Sequence, residues 1–330
     1  MITYKSHTKI IIFCPPKKVT GGPEALHQLS HKLHKIGLKD VFMHYLPKRS
    51  NPKPEEYSIY NSEEINAVVD HPDTVLIIPE SMTFLIKKYP KSQKIVWWLS
   101  VDFYKVLVDY RIRNQNIFKR LFYKQFDKEY HFEPLPNVFH WAQSYRSSIY
   151  LKNHHIPESQ IDYVCDYINP IFIERNTVFS KELENNRILY NPKKGKKEIA
   201  LLIDSSPEME WIPIQNMNAV QIKDLMSQSL LYVDFGENPG RDKMLRESVS
   251  QDCCIISGKN GSSKYYEDLM IPDEYKFDFS KDKIPEIIAK IKTVLENYKN
   301  HIPQFVIYKN EVLNEEIVFE NKLKEIFTID

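Results

Sequence analysis

The chain has 330 residues, with 45 Lys+Arg against 44 Asp+Glu and 42% apolar residues. That length allows two ordinary domains with a sizeable core in each, and the balanced charge leaves no global field to draw the chain onto nucleic acid, for which no motif is present. The polar N-terminus MITYKSHTK has no signal-peptide character, and the longest apolar runs, Ile10–Cys14 and Ile95–Leu99, are too short to span a bilayer, so a cytoplasmic protein is expected. Cys14, Cys165, Cys253 and Cys254 lack metal-ligand spacing and are expected to be reduced core residues.

Short apolar runs alternate with stretches of helical period. Lys9–Cys14 reads as a strand buried on both faces. Thr20-Gly21-Gly22-Pro23 follows, then a helix over Glu24–Ile36 with Leu26, Leu29, Leu33 and Ile36 on one face and Gly37 as its stop. Next come a strand over Asp40–Leu46, a helix over Glu63–Val69, a strand over Thr74–Pro79, a short helix over Met82–Lys88 and a strand over Lys94–Leu99. Asn137–Gln143 and Ile161–Tyr167 read as strands on either side of a helix through Arg146–Asn153. Asn169–Asn186 has mixed charge and no period, as a linker would.

A second alternation begins at the strand Arg187–Tyr190. It continues through the apolar stretch Glu198–Ile203, a strand at Trp211–Ile214, a helix over Ala219–Ser227 and a buried strand over Ser229–Phe235. A helix over Lys243–Gln251, a strand over Cys253–Ser257, an amphipathic helix over Ile284–Tyr298 and a last helix over Asn310–Phe327 complete it. Two doubly wound α/β sheets in series are expected, with ligands at the carboxyl ends of their strands, in a cleft between two facing domains. The boundaries expected are 1–170, 171–310 and a C-terminal helix over 311–330 that packs back on the first domain.

Four segments carry the functional expectations. Gly21 and Gly22 let the backbone approach a ligand closely, and the helix N-terminus after them offers N–H groups to an anion; a tight turn with no ligand is the competing reading. Asp234-Phe235-Gly236-Glu237-Asn238-Pro239-Gly240-Arg241-Asp242-Lys243 joins a buried strand to a helix through two glycines. Its Asn238, Gly240, Arg241, Asp242 and Lys243 suit a diphosphate cradle. Glu247, one turn further on, suits a ribose diol if it faces the ligand, and a solvated helix charge if it does not. Asn191-Pro192-Lys193-Lys194-Gly195 ends another strand, and its lysines suit phosphates, although a solvated basic loop is the ordinary outcome. Gly261, Ser262 and Ser263, after the strand at Cys253–Ser257, suit a sugar pocket or a plain turn.

The stretches ILYNPKKG, WIPIQNM and LYVDFGENPGRDKMLRESVSQDCCIISGKNGSS resemble, in that order, the donor-binding half of GT-B glycosyltransferases from bacterial polysaccharide assembly, the glycosyltransferase 4 or group 1 type. IIIFCPP, TGGPEALHQLSHKLHKIG and IVWWLSVDFY resemble the partner half. The resemblance implies two Rossmann-like domains facing a cleft, transfer of a sugar from a nucleotide-sugar to a hydroxyl of a saccharide or lipid-linked acceptor, and no metal or other cofactor. It places Glu247 on the donor ribose, Lys193, Lys194 and Arg241 on the diphosphate, and Gly21 and Gly22 beside donor phosphate or acceptor. One departure stands out: many retaining members carry a glutamate eight residues before the ribose-binding one, where this chain has Pro239.

An inverting enzyme also needs a base. Asp102 is the first candidate, with the N-cap of a helix from Phe103 as its alternative role. Glu24 and His27 follow, His27 reading more readily as a packing histidine. Tyr110–Tyr130 alternates basic and apolar residues and suits either an ordinary surface helix or a peripheral contact with an anionic membrane. Two rival functions share these features: a non-catalytic nucleotide-sugar or polysaccharide-binding module, and a sugar-nucleotide epimerase.

Overall fold

The computed structural model describes residues 2–113, 130–173 and 186–327. It divides into two compact units, one taking in Met1–Asp166 and Ile317–Asp330, the other Tyr167–Glu316.

The first unit is built on a six-stranded parallel sheet of β1 (Lys9–Cys14), β2 (Val41–Tyr45), β3 (Thr74–Pro79), β4 (Gln93–Trp98), β5 (Val138–Ala142) and β6 (Ile161–Tyr163), ordered β2-β1-β3-β4-β5-β6. β3 is buried along its whole length, which is why its sequence is a continuous apolar run. Helices α1 (Gly21–Lys35), α2 (Val101–Arg113) and α3 (Tyr145–Asn153) follow β1, β4 and β5. α3 starts where Ser144 accepts the backbone N–H of Ser147. Because the chain steps from β1 to β2 on one side and later returns to β3 on the other, the strand order reverses between β1 and β3.

The second unit has a five-stranded parallel sheet of β7 (Arg187–Tyr190), β8 (Glu210–Pro213), β9 (Leu231–Asp234), β10 (Cys254–Gly258) and β11 (Lys276–Phe277), ordered β11-β10-β9-β7-β8. Its helices are α4 (Lys196–Asp204), α5 (Ala219–Ser227), α6 (Lys243–Ser250), α7 (Ile284–Glu296) and α8 (Tyr298–His301). α5 opens with a capping box, Asn218 and Gln221 each bonding the other's backbone N–H. Here the order reverses between β7 and β9.

The last helix, α9 (Val306–Ile326), has its first half in the second unit and its second half in the first. Tyr308 and Val312 join the second unit's core. Within the first unit, Phe319 stacks on Trp97 at 6.0 Å and Lys32 pairs with Glu320 at 3.2 Å.

Two segments differ from the sequence expectation, and a third, expected only as an apolar stretch, takes a definite form. Glu63–Val69 is not helical: Glu64 makes an isolated parallel bridge to Met43, and the rest has no regular structure. The N–H of Met43 donates to the Glu63 carbonyl (2.6 Å) and that of Ile65 to the Met43 carbonyl (2.9 Å), so the edge of the sheet claims the backbone groups a helix would need. Instead of a helix at Met82–Lys88 there is a 3₁₀ segment over Glu80–Leu85. The stretch around Glu198–Ile203 is helix α4, set off by Gly195 in the left-handed conformation (φ +50°). Most of the basic stretch Tyr110–Tyr130 and of the linker Asn169–Asn186 lies outside the described residues.

Candidate functional site

In an open parallel sheet the carboxyl-end loops diverge where strand order reverses, leaving a crevice for ligands. Each sheet has one such place.

In the second unit it lies between β7 and β9, and three loops meet there. Gly195 has no room for a side chain, since a Cβ would sit 2.7 Å from the Phe235 carbonyl carbon; one on Gly236 would sit 2.6 Å from Lys194 Cβ. The two glycines thus allow the loops after β7 and β9 to press against each other. Lys194 Nζ donates to Asn238 Oδ1 (2.9 Å) and to Asp242 Oδ2, and lies 3.6 Å from Asp234 Oδ2. Asn238 Nδ2 donates to Ser263 Oγ (2.8 Å), and the Ser262 N–H donates to the Asn238 carbonyl (2.6 Å), which brings in the loop after β10. Asn260 Nδ2 adds a bond to the Phe235 carbonyl at 3.1 Å.

Charge is balanced locally. Burial works against the Lys194 ammonium, but Asp242 and Asp234 outweigh it and raise its pKa. Burial likewise opposes the Asp242 carboxylate; Lys194 and the backbone N–H of Leu245 reverse this and hold its pKa down. Asp234, almost wholly buried, has its pKa pushed up by desolvation.

The sequence-expected residues therefore fall into groups. Asn191, Lys194, Asn238, Asp242, Ser262 and Ser263 are brought together at the β7–β9 crevice, with Gly240 and Gly261 in the same loops. Asn191 Oδ1 accepts the Lys193 N–H (2.9 Å), while the Lys193 side chain is exposed. Asp242 caps α6, accepting from Met244 (3.0 Å) and Leu245 (3.3 Å), so it takes up N–H groups expected for an anion. Arg241 is turned to the buried carboxylate of Glu315, 3.0 Å away. Lys243 and Glu247 are half-buried on α6.

In the first unit the crevice lies between β1 and β3. Gly21 and Gly22 form the first turn of α1. The Tyr57 hydroxyl accepts the Thr20 N–H (2.9 Å) and donates to the Thr20 carbonyl (3.0 Å), pinning the turn. Glu24 accepts from the Tyr60 hydroxyl at 2.9 Å. His27 is fully buried, bonded to the Pro23 carbonyl (2.7 Å) and the Tyr45 hydroxyl (2.9 Å), and burial lowers its pKa to about 4. It is a neutral packing histidine. Asp102 lies in the first turn of α2, inside the helix instead of capping it, and both its oxygens are taken by Arg146, at 2.5 and 2.6 Å.

Of the buried acids that the sequence reading did not single out, which include Asp166 and Asp268, two matter most here. Glu80, next to β3, accepts the Leu99 N–H at 3.1 Å, and burial pushes its pKa up to about 8. Its only sequence signal is a glutamate directly after an apolar strand. Glu315, one of several glutamates along the last helix, gave none.

No protein-family model matches the chain, and no curated protein sequence does either. Solved structures do. A sucrose-phosphate synthase from Thermosynechococcus elongatus superposes with a TM-score of 0.67 at 10% identity, covering 98% of each chain. HepE from Anabaena in complex with UDP-glucose gives 0.65 at 8% identity, over 98% of this chain and all of that one. WaaG, a glycosyltransferase involved in lipopolysaccharide biosynthesis, gives 0.62 at 11% identity over 97% of this chain. The chain has the GT-B fold. Two parallel sheets in series match that fold along nearly the whole chain, and the β7–β9 crevice belongs to the second GT-B unit. Among the described residues no helix is long and apolar enough to cross a membrane.

Proposed function

We propose that this GT-B protein is a cytoplasmic glycosyltransferase that moves a sugar from a nucleotide-sugar to a hydroxyl of a saccharide or lipid-linked acceptor in polysaccharide assembly. The observation that carries this reading is the meeting of three strand-end loops at the β7–β9 crevice, through Lys194, Asn238 and Ser263. HepE, similar in fold, was crystallised with UDP-glucose, which makes a uridine nucleotide the first donor to try.

The departing diphosphate gains charge as the glycosidic bond breaks, and fixed cations and N–H groups lower that barrier. Lys193 is exposed beside the crevice, and Lys194 stands within it as an ammonium already ringed by oxygens of Asp242, Asn238 and Asp234. The reaction is proposed to run without a metal, with Lys193 and Lys194 as the cations that face the departing diphosphate. Glu247, one turn into α6, is assigned to the donor ribose, and Glu24 or Asp102 to the acceptor side.

The test is thermal stabilisation by UDP, GDP, ADP and CDP, repeated with Glu247→Ala. A ligand at 100 times its Kd adds about 2.7 kcal/mol of stability. A shift with one base, reduced at least tenfold in affinity by Glu247→Ala, is expected. No shift with any of the four would remove the donor site and with it the transferase.

A further inference from the structure

Below the glycine loop lies a buried ionic cluster that the donor-site reading does not use. Glu315, on α9 and only 4% exposed, receives a hydrogen bond from Arg246 Nη1 on Oε2 (2.8 Å), while its Oε1 lies 3.0 Å from Arg241 Nη2. Arg246 reaches further. Its Nη2 donates to the Arg241 carbonyl (3.0 Å) and its Nε to the Asp242 carbonyl (3.4 Å). The guanidinium of Arg246 thus holds two successive backbone carbonyls of the loop, and Glu315 holds the guanidinium. Asp242, the second of those residues, caps α6 and pairs with Lys194.

We propose that Glu315 is a positioning residue: through Arg246 and Arg241 it sets the backbone of Gly236–Asp242 and the start of α6, and thereby the affinity of the site for a nucleoside diphosphate. This rests on the donor-site reading. Two guanidiniums buried side by side repel each other and are poorly solvated, so the arrangement holds only with a carboxylate between them. The buried linked set pairs three cations (Lys194, Arg241, Arg246) with three carboxylates (Asp234, Asp242, Glu315), and the more exposed Glu311 lies 4.0 Å from Arg241 as a fourth.

Removing one carboxylate charge separates positioning from simple charge. Glu315→Gln adds one net positive charge under the loop. If Glu315 acted only as a counter-charge, the variant would bind a diphosphate more tightly. If it positions the loop, the variant binds more weakly, because the Gln amide turns N–H groups toward a guanidinium and releases Arg246 from the two carbonyls.

The experiment has two arms. Amide hydrogen exchange on the unliganded full-length protein is read over the peptides covering Gly236–Leu245 and over β9 and β10. Glu315→Gln is expected to speed exchange at least tenfold in the loop while the strands stay protected. UDP affinity, and KM for UDP-glucose if turnover is seen, are then measured in wild type and variant; a tenfold or larger loss of affinity with kcat changed less than threefold is expected. Arg246→Lys, which keeps the charge but loses the planar fork that spans Glu315 and both carbonyls, should show the same pattern and serves if Glu315→Gln fails to fold. Unchanged loop exchange, or tighter binding of UDP, overturns the positioning role. Faster loop exchange in a protein whose wild type binds no nucleotide would instead sink the donor-site reading, and the affinity claim with it.

Discussion

At the β1–β3 crevice the glycine turn is held mainly by hydroxyl and imidazole hydrogen bonds: the Tyr57 hydroxyl on Thr20, the Tyr60 hydroxyl on the Glu24 carboxyl, and an uncharged His27 between Pro23 and Tyr45. At the β7–β9 crevice the corresponding turn is held by charges: Lys194 among Asp234, Asp242 and Asn238, and Arg241 and Arg246 on Glu315. The glycines differ in the same way. Gly22 meets nothing closer than Leu99 Cδ1 at 3.7 Å, whereas Gly195 abuts the backbone of Phe235 and Gly236. A hydroxyl network tolerates small displacements, because each bond contributes only about 1 kcal/mol net. A buried ionic network does not, since one misplaced partner leaves a charge uncompensated. The charged crevice is the one built to keep a fixed shape.

The largest expected effect follows from that contrast. Gly195→Ala puts a Cβ 2.7 Å from a backbone carbon and forces an L side chain to φ +50°. Left-handed strain and overpacking together should cost about 3 kcal/mol, read as a lower urea midpoint. A loss under about 0.5 kcal/mol, the ordinary scatter of surface substitutions, would mean the loops after β7 and β9 do not meet as described.

How far the sequence alone carried the fold depended on whether local signals agreed with tertiary ones. Ala219–Ser227 was legible to the residue, and the structure adds a capping box at Asn218 and Gln221 where that helix begins. Glu63–Val69 was misread because Ile65 and Val68 have helical spacing while the backbone of Glu63 and Ile65 is claimed by Met43, twenty residues away and invisible to a local period. At the site, Lys194, Asn238 and Ser263 were legible as loop residues at strand ends, which is where parallel sheets put chemistry. Their mutual bonding was not, since it depends on strand order. Glu80 and Glu315 were missed for one shared reason: a buried acid looks like an exposed one until its partners are known.

A second effect should appear in the first unit as pH dependence. His27 has a folded pKa of about 4 against an ordinary 6.5. Between those values the unfolded chain binds the extra proton, so stability rises with pH across the window, by about 1.4 kcal/mol per pH unit per group, and is fully present above 6.5. His140, lowered by burial to about 3, acts in the same sense. Glu80, raised to about 8, acts against them above 4.5, because there the folded state keeps a proton the unfolded chain has lost. His27→Gln should therefore flatten the stability–pH slope between 4 and 6.5 by one proton and leave it unaltered above 6.5. An unchanged slope in chemical denaturation at four or five pH values would show that His27 is not held neutral.

The smallest expected effect on stability is the most informative about function. Gly22→Ala lies in the first turn of α1 with negative φ and with 3.7 Å of clearance, so the added methyl meets no clash and removes freedom from the unfolded chain. Stability should rise by about 0.5 kcal/mol. The glycine is then dispensable for folding, and any reason for it must come from what approaches it. If a sugar or phosphate comes close to that turn, Gly22→Ala raises KM at least tenfold in a protein that melts no lower than wild type. If KM and kcat both stay within twofold, the β1–α1 turn is only a connection between a strand and a helix, the ligand contacts lie with the charged loops, and the assignment of Gly21 and Gly22 to the site falls while Lys194 and Glu247 stand.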